Sequence, residues 1–250
     1  MRNLGVCSVT FRSLGYDKII TLCNKAGLNY IEWGEDVHVP RTNLQNAKDV
    51  KNETLQNGLK CVSYGTYYKC NGNIDEFREI SNACRVLGAN TIRVWAGQKD
   101  SENVSEKEFN ELVLTVKECA LIAQKYGQVL AFEFHHGTYC NTAESTLKLL
   151  TAVNEKNVKT YWQPMYWLVG MENQERINEN KKSIKVLKNY ILNVHVYHWI
   201  GTDRGPLSDG VNEWREYIKI LPKNAVYYIE FVMGNTDKQF FNDVNTLMEF

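Results

Sequence analysis

A chain of 250 residues is long enough for one large α/β domain with a sizeable core, and it balances 29 basic against 29 acidic residues with no long run of either sign. That balance supplies no field for nucleic acid or an anionic membrane, so neither is expected as a partner. The seven cysteines are scattered without a C-x-x-C pair, the amino terminus lacks a long apolar core, and no apolar run approaches the ~18 residues of a membrane span, so a cytoplasmic location with reduced thiols is the expectation.

Hydrophobic periodicity divides the chain into alternating short apolar runs and amphipathic stretches. A predicted strand over Leu4–Val9 precedes a helix over Tyr16–Ala26, which Gly27 stops. A strand at Tyr30–Trp33 leads through a loop holding His38 and Pro40 to a helix over Asn43–Asn57, closed by Gly58. Strand Lys60–Tyr64 is followed by helix Ile74–Leu87 and Gly88, then by strand Thr91–Trp95. Helix Ser105–Tyr126 ends at Gly127 before strand Val129–Phe134, and helix Thr142–Val153 precedes strand Lys159–Gln163. A polar helix near Gln174–Asn189 leads to strand Ile191–Val196 and a helix across Val211–Ile220. Strand Tyr227–Phe231 and helix Thr236–Phe250 complete the series. Eight strands alternating with eight helices on short connections predict a parallel sheet closed into a single (β/α)8 TIM barrel over residues 1–250. No G-x-G-x-x-G turn follows the first strand, as an open dinucleotide-binding sheet would need.

In such a barrel the chemistry collects at the carboxyl ends of the strands. The stretch V-L-A-F-E-F-H-H-G-T at Val129–Thr138 places Glu133 between two phenylalanines, where a buried carboxylate is costly unless it is paired. Glu230 in Y-Y-I-E-F-V and Glu32 in Y-I-E-W-G repeat the pattern. Three such carboxylates around one mouth repel unless a cation or proton intervenes. Arg93 in T-I-R-V-W is the expected partner of Glu32, which leaves Glu133 and Glu230 in need of a cation. The histidines fall on the same rim: His38 after the second strand, His135 and His136 after the fifth, His195 and His198 at the seventh. Glu133, Gln163, His195 and Glu230 then offer three oxygen donors and one imidazole. That set suits Mn²⁺ or Mg²⁺, with Co²⁺ or Zn²⁺ possible. Trp33, Tyr67, Trp95 and Trp199 are candidates for the apolar walls of a sugar pocket.

These residues carry a resemblance to the sugar isomerase/epimerase superfamily of xylose-isomerase-like barrels, whose wider group includes the endonuclease IV type of DNA-repair enzyme. It runs essentially end to end, through S-V-T-F-R-S-L at Ser8–Leu14, I-E-W-G-E-D-V-H-V-P at Ile31–Pro40 and S-Y-G-T-Y-Y at Ser63–Tyr68. It continues through I-R-V-W-A-G, E-F-H-H-G-T, Y-W-Q-P, V-H-V-Y-H-W and the final I-E-F-V. Each motif is short, and their order rather than any one of them points to the superfamily. The resemblance implies a divalent metal held by Glu, Asp, His and Glu, here Glu133, Gln163, His195 and Glu230. The first and last also form an acid–base pair on opposite faces of the sugar.

Gln163 stands where the family has Asp, so the site keeps an oxygen ligand but loses one negative charge. Tyr166 stands where many epimerases carry a substrate-contacting histidine. Arg204 lies six residues after His198 and nine after His195, and V-H-V keeps His195 within the strand as the ligand. His38, His135, Tyr166, His198 and Arg204 are the expected substrate contacts.

The implied activity is metal-dependent isomerisation or epimerisation of a keto sugar, a sugar phosphate or a related hydroxy-carbonyl compound, by proton transfer through an enediolate. A non-catalytic sugar-binding or regulatory barrel is the alternative that Gln163 leaves. An endonuclease IV-like phosphodiesterase would need more His and Asp ligands and a basic groove. Nothing in the sequence indicates the oligomeric state or names the sugar.

Overall fold

Eight parallel strands close a barrel in the computed structural model, which describes residues 2–168 and 170–250. The first seven are β1 (Asn3–Cys7), β2 (Tyr30–Gly34), β3 (Lys60–Gly65), β4 (Thr91–Val94), β5 (Val129–Phe132), β6 (Val158–Trp162) and β7 (Ile191–Val196). A short antiparallel hairpin of β8 (His198–Ile200) and β9 (Asp203–Gly205) intervenes before the last barrel strand, β10 (Val226–Ile229), which lies between β7 and β1. The helices are α1 (Tyr16–Ala26), α2 (Leu44–Gln56), α3 (Ile74–Leu87), α4 (Glu106–Gln124), α5 (Ala143–Val153), α6 (Asn173–Leu187), α7 (Val211–Ile218) and α8 (Asp237–Met248). No helix among the described residues is long and apolar enough to cross a membrane.

Local sequence explains the helix ends. Ser105 and Glu108 form a reciprocal capping box at the start of α4, and Thr142 and Ser145 do the same for α5. Gly27 and Gly88 end α1 and α3 in the left-handed conformation that glycine adopts without strain. Each strand alternates its side chains between two cores. Trp33 and Trp162 point to the helical layer, where their indole N–H groups donate to Thr54 of α2 at 3.2 Å and Ser183 of α6 at 2.9 Å. Cys7, Ala131, Tyr161 and Tyr228 point into the barrel, where they form a second, smaller buried cluster.

The strands stop slightly earlier than their apolar runs suggest, and this sets the mouth. Glu133, Gln163 and Glu230 are each the first residue beyond β5, β6 and β10. The backbone N–H of Glu133 still donates to Val94 O and that of Glu230 to Val196 O, both at 2.9 Å, so the barrel holds these two in register. The β8–β9 hairpin occupies a stretch that the sequence presents as a Gly-rich loop. Its two-residue connection begins at Gly201, whose φ of 61° suits a tight hairpin turn.

Candidate functional site

The mouth of the barrel has a charged floor. Arg93 reaches inward from β4, and its Nε donates to Glu32 Oε1 at 3.0 Å while its Nη1 bonds Glu133 Oε2. Arg93 therefore serves two carboxylates rather than Glu32 alone, which corrects the simpler pairing expected from sequence. Glu32 Oε2 also accepts from Ser63 at 2.7 Å and from Tyr161 at 2.6 Å, and Trp95 Nε1 donates to Glu133 Oε2 at 2.6 Å. Burial opposes ionisation of both acids, but the guanidinium overcomes it and holds each carboxyl below the usual range. Gly65 makes room for this: a Cβ there would lie 2.8 Å from both Arg93 Nη2 and Glu32 Oε1.

Beside the floor lies a second group. His195, on β7, is fully buried, with its Nδ1 3.1 Å from Gln163 Oε1, 3.2 Å from Glu230 Oε2 and 3.7 Å from Glu133 Oε1. Burial works against an imidazolium here, yet the Glu230 carboxylate beside the ring opposes it, and the pKa of His195 is raised well above its ordinary value. Gln163 Nε2, His195 Nε2 and Glu230 Oε2 find no hydrogen-bond partner among the described residues. Unpaired buried polar atoms are costly, and the open Glu230 oxygen beside His195 Nδ1 is one that a cation would satisfy. Donors held about 2.1 Å from an octahedral dication lie roughly 3.0 Å from one another, close to the 3.1 and 3.2 Å separating His195 Nδ1 from Gln163 Oε1 and Glu230 Oε2, whereas Glu133 Oε1 lies farther, at 3.7 Å. Gln163 and Glu230 thus meet His195 Nδ1 directly, and Glu133 approaches it less closely. The set can hold a divalent ion, and Glu230 can also act as a base.

Aromatic rings form one wall of the mouth. Trp95 stacks on His135 at 5.0 Å and Tyr166 stacks on Trp199 at 4.9 Å, with Phe231 edge-on to Trp199 at 5.7 Å. Tyr67 meets Trp95 edge-on, but Trp33 lies in the outer core and belongs to no wall. His135 Nδ1 bonds the His136 carbonyl, so that nitrogen carries the hydrogen, and a neutral ring presents a lone pair at Nε2. The Tyr166 hydroxyl lies 3.3 Å from this Nε2 and 2.7 Å from His136 Nε2. With both rings neutral, one order gives each contact a single hydrogen: His136 donates to Tyr166, and Tyr166 donates to His135. Burial and the nearby Glu133 and Glu230 push the Tyr166 hydroxyl up to about 12, so it stays protonated.

The remaining predicted contacts are more dispersed. Arg204 sits opposite Trp199 in the hairpin, lays its guanidinium over the Phe231 ring at 4.7 Å and donates to Asn235 at 2.9 Å. His198 occupies the other face of β8, against Gly210, where a Cβ would come within 2.5 Å of its ring. His38 bonds the Leu14 carbonyl at 3.1 Å and packs edge-on to Trp33 on the helical side of β2. Neither of these two histidines joins the buried cluster.

Of two further residues at the site, the sequence reading missed Cys7 and placed His136 on the rim without a role. Cys7 ends β1 within reach of His195 and Glu230, and His136 completes the pair of histidines on Tyr166. The strand-end rule that singled out Glu133 applies equally to Cys7.

Comparison with known proteins agrees with this architecture. The probable 3-DHS dehydratase involved in petrobactin synthesis from Bacillus anthracis superimposes with a TM-score of 0.81 at 18% identity, over 99% of each chain. A D-psicose 3-epimerase from Clostridium cellulolyticum H10, solved with D-tagatose, gives 0.74 at 16% identity over 100% of this chain and 98% of that one. At these identities the likeness is one of fold. In sequence, the 3-dehydroshikimate dehydratase of Bacillus anthracis is 30% identical over 173 residues, or 62% of this chain. That match spans 59% of the relative's own length. The family described as xylose isomerase-like TIM barrel matches residues 20–233, and the chain belongs to that family.

Proposed function

We propose that this protein is a divalent-metal-dependent enzyme that removes a proton from the carbon beside a carbonyl in a small polyhydroxylated keto compound. The observation that carries the reading is the convergence of Glu133, Gln163 and Glu230 on His195 Nδ1, with buried atoms left unpaired beneath an aromatic wall. These four side chains would hold the ion, Mn²⁺ or Mg²⁺ by their oxygen count, with Co²⁺ or Zn²⁺ within the same chemistry. Arg93 and Glu32 cancel in charge, so Glu133 and Glu230 match a dication. When bound, the ion supplies polarisation of the carbonyl and stabilises the negative charge that develops there.

The chain's own residues do the rest. Glu230 presents an unpaired carboxylate oxygen as the proton acceptor. Glu133 stays ionised beside Arg93 and faces the same space with Oε1. The wall of Trp95, Tyr166, Trp199 and Phe231 excludes water, and His135 and Arg204 lie where substrate oxygens would meet them. If Glu133 returns the proton on the far face, the product is an epimer or isomer of a keto sugar or sugar phosphate.

A second outcome of the same first step is loss of water. It is favoured by the engagement of Glu133, whose Oε2 is taken by Arg93 and Trp95 and whose depressed pKa makes it a weak base. The Tyr166 hydroxyl, backed by His136, could then protonate a departing hydroxyl. A relative named for dehydration of 3-dehydroshikimate makes that compound the first to try.

The test is to incubate ketohexoses, their phosphates and 3-dehydroshikimate with the protein and Mn²⁺ or Mg²⁺ in heavy water, followed by proton NMR. Deuterium entering beside the carbonyl of recovered sugar supports epimerisation, and loss of a hydroxyl supports dehydration. Sugar turnover without solvent label would replace proton transfer by a hydride shift. Absence of exchange and turnover across all these compounds, with every metal, would overturn the proposal.

A further inference from the structure

We propose that Cys7 is an additional ligand to the ion, so that this site prefers thiolate-accepting Zn²⁺ or Co²⁺ over Mg²⁺ or Mn²⁺. The inference rests on the metal-dependent reading above and narrows it.

Cys7 is placed by register. β1 pairs with β10 through Val6 and Ile229, which sets the next residue, Cys7, beside Glu230, and it pairs with β2 through Cys7 and Glu32. A ligand atom from each of Cys7, His195 and Glu230 lies within 4.8 Å of the others, and all three residues are buried. Two atoms around this thiol, His195 Nε2 and Glu230 Oε2, are unpaired among the described residues. The thiol donates weakly to Glu32 Oε1 at 3.5 Å. Cys7 beside His195 and Glu230 gives the thiolate, imidazole and carboxylate donors that a zinc ion takes, and the remaining oxygen donors can complete four- or five-coordination.

The chemistry balances without a further reactant. A cysteine that holds no ion ordinarily carries its proton at neutral pH, the free thiol pKa being about 8.5. A divalent ion displaces that proton: a sulfur–metal bond forms, the S–H bond breaks, and the proton leaves to solvent. Soft thiolate ligation then separates the zinc-like ions from the hard, oxygen-preferring ones.

Cobalt substitution reads this directly. The wild-type protein loaded with Co²⁺ should show a sulfur-to-cobalt charge-transfer band in the near ultraviolet. The band should vanish in Cys7→Ser and Cys7→Ala, with folding checked by circular dichroism, and persist in Cys61→Ser. Zn²⁺ affinity should fall by roughly 10–100-fold in Cys7→Ser, while Mg²⁺ affinity stays nearly unchanged. Cobalt bound with only d–d bands in the wild type would overturn the role of Cys7 and leave the metal reading standing. A band lost in Cys61→Ser instead would do the same. No binding of Co²⁺, Zn²⁺ or Mn²⁺ by the wild type would remove both. The wild-type spectrum decides even if the Cys7 variants fold poorly.

Discussion

On one side of the barrel mouth, Glu32, Ser63, Arg93 and Tyr161 interlock through hydrogen bonds, and only Arg93 Nη2, beside Gly65, is left over. On the other, Gln163, His195 and Glu230 are just as dry but each keeps an unpaired atom. Glu133 belongs to both, with Oε2 committed to Arg93 and Oε1 turned toward His195. Equal burial with unequal satisfaction separates a scaffold from a receptor. A polar group held by its neighbours stabilises the fold, whereas one left open is stabilised by what arrives.

The sharpest way to break this comparison is Glu230→Gln, which keeps the shape and removes the proposed base. We expect turnover, once a substrate is found, to fall by roughly 10²–10⁴-fold in steady-state assays with the fold intact. Unchanged kcat would move the base elsewhere. Next in size is Arg93→Met, which strands two carboxylates and should destabilise the protein by about 3–5 kcal/mol in urea titrations. Glu32 and Glu133 have folded pKa values below the ordinary 4.5, so their stabilisation is present above that pH and is lost as pH falls through the folded values. The wild type should therefore lose stability on acidification below about pH 4.5 more steeply than Arg93→Met does. A parallel loss in both proteins would mean that the pair does not set the acid limit.

A saturating divalent ion at a hundredfold excess over its Kd should add about 2.7 kcal/mol to the wild type, reversibly with chelator. In Gln163→Met that gain should shrink, while the metal-free protein changes by less than about 1 kcal/mol, because the amide there has little to lose. Equal metal stabilisation in both would exclude Gln163 as a ligand. The smallest effect is expected from Tyr166→Phe, roughly 0.5–1.5 kcal/mol in stability. Nitrogen-15 NMR should show His136 losing its preference for the Nε2–H form. If His136 is already Nδ1–H in the wild type, the order of donors at Tyr166 is the reverse.

Much of this was legible in the sequence, for identifiable reasons. Gly27, Gly58, Gly88 and Gly127 punctuate the alternation, and all eight barrel strands fall where their apolar runs lie. Glu133, Gln163, His195 and Glu230 stand out because polar residues at strand ends contradict their apolar surroundings. The division of Arg93 between two acids was not legible, since a guanidinium can fork either way and neighbours around a barrel are set by register. Cys7 was hidden because a buried thiol looks like any small apolar residue until its neighbours are known. The hairpin at His198–Gly205 was hidden because strands of three residues leave no periodicity to read, and it turns His198 away from the side that Trp199 faces.

Gly65 has a consequence for how such a barrel can change. Any side chain there would collide with Arg93 and Glu32 together, so the ion pair and the glycine must persist or be replaced as a set. The loops of the mouth face no such condition. A library aimed at new substrates can vary Trp199 while holding Gly65 fixed. The same position offers a single-site lesion, Gly65→Ala, whose added methyl meets Arg93 and Glu32 first.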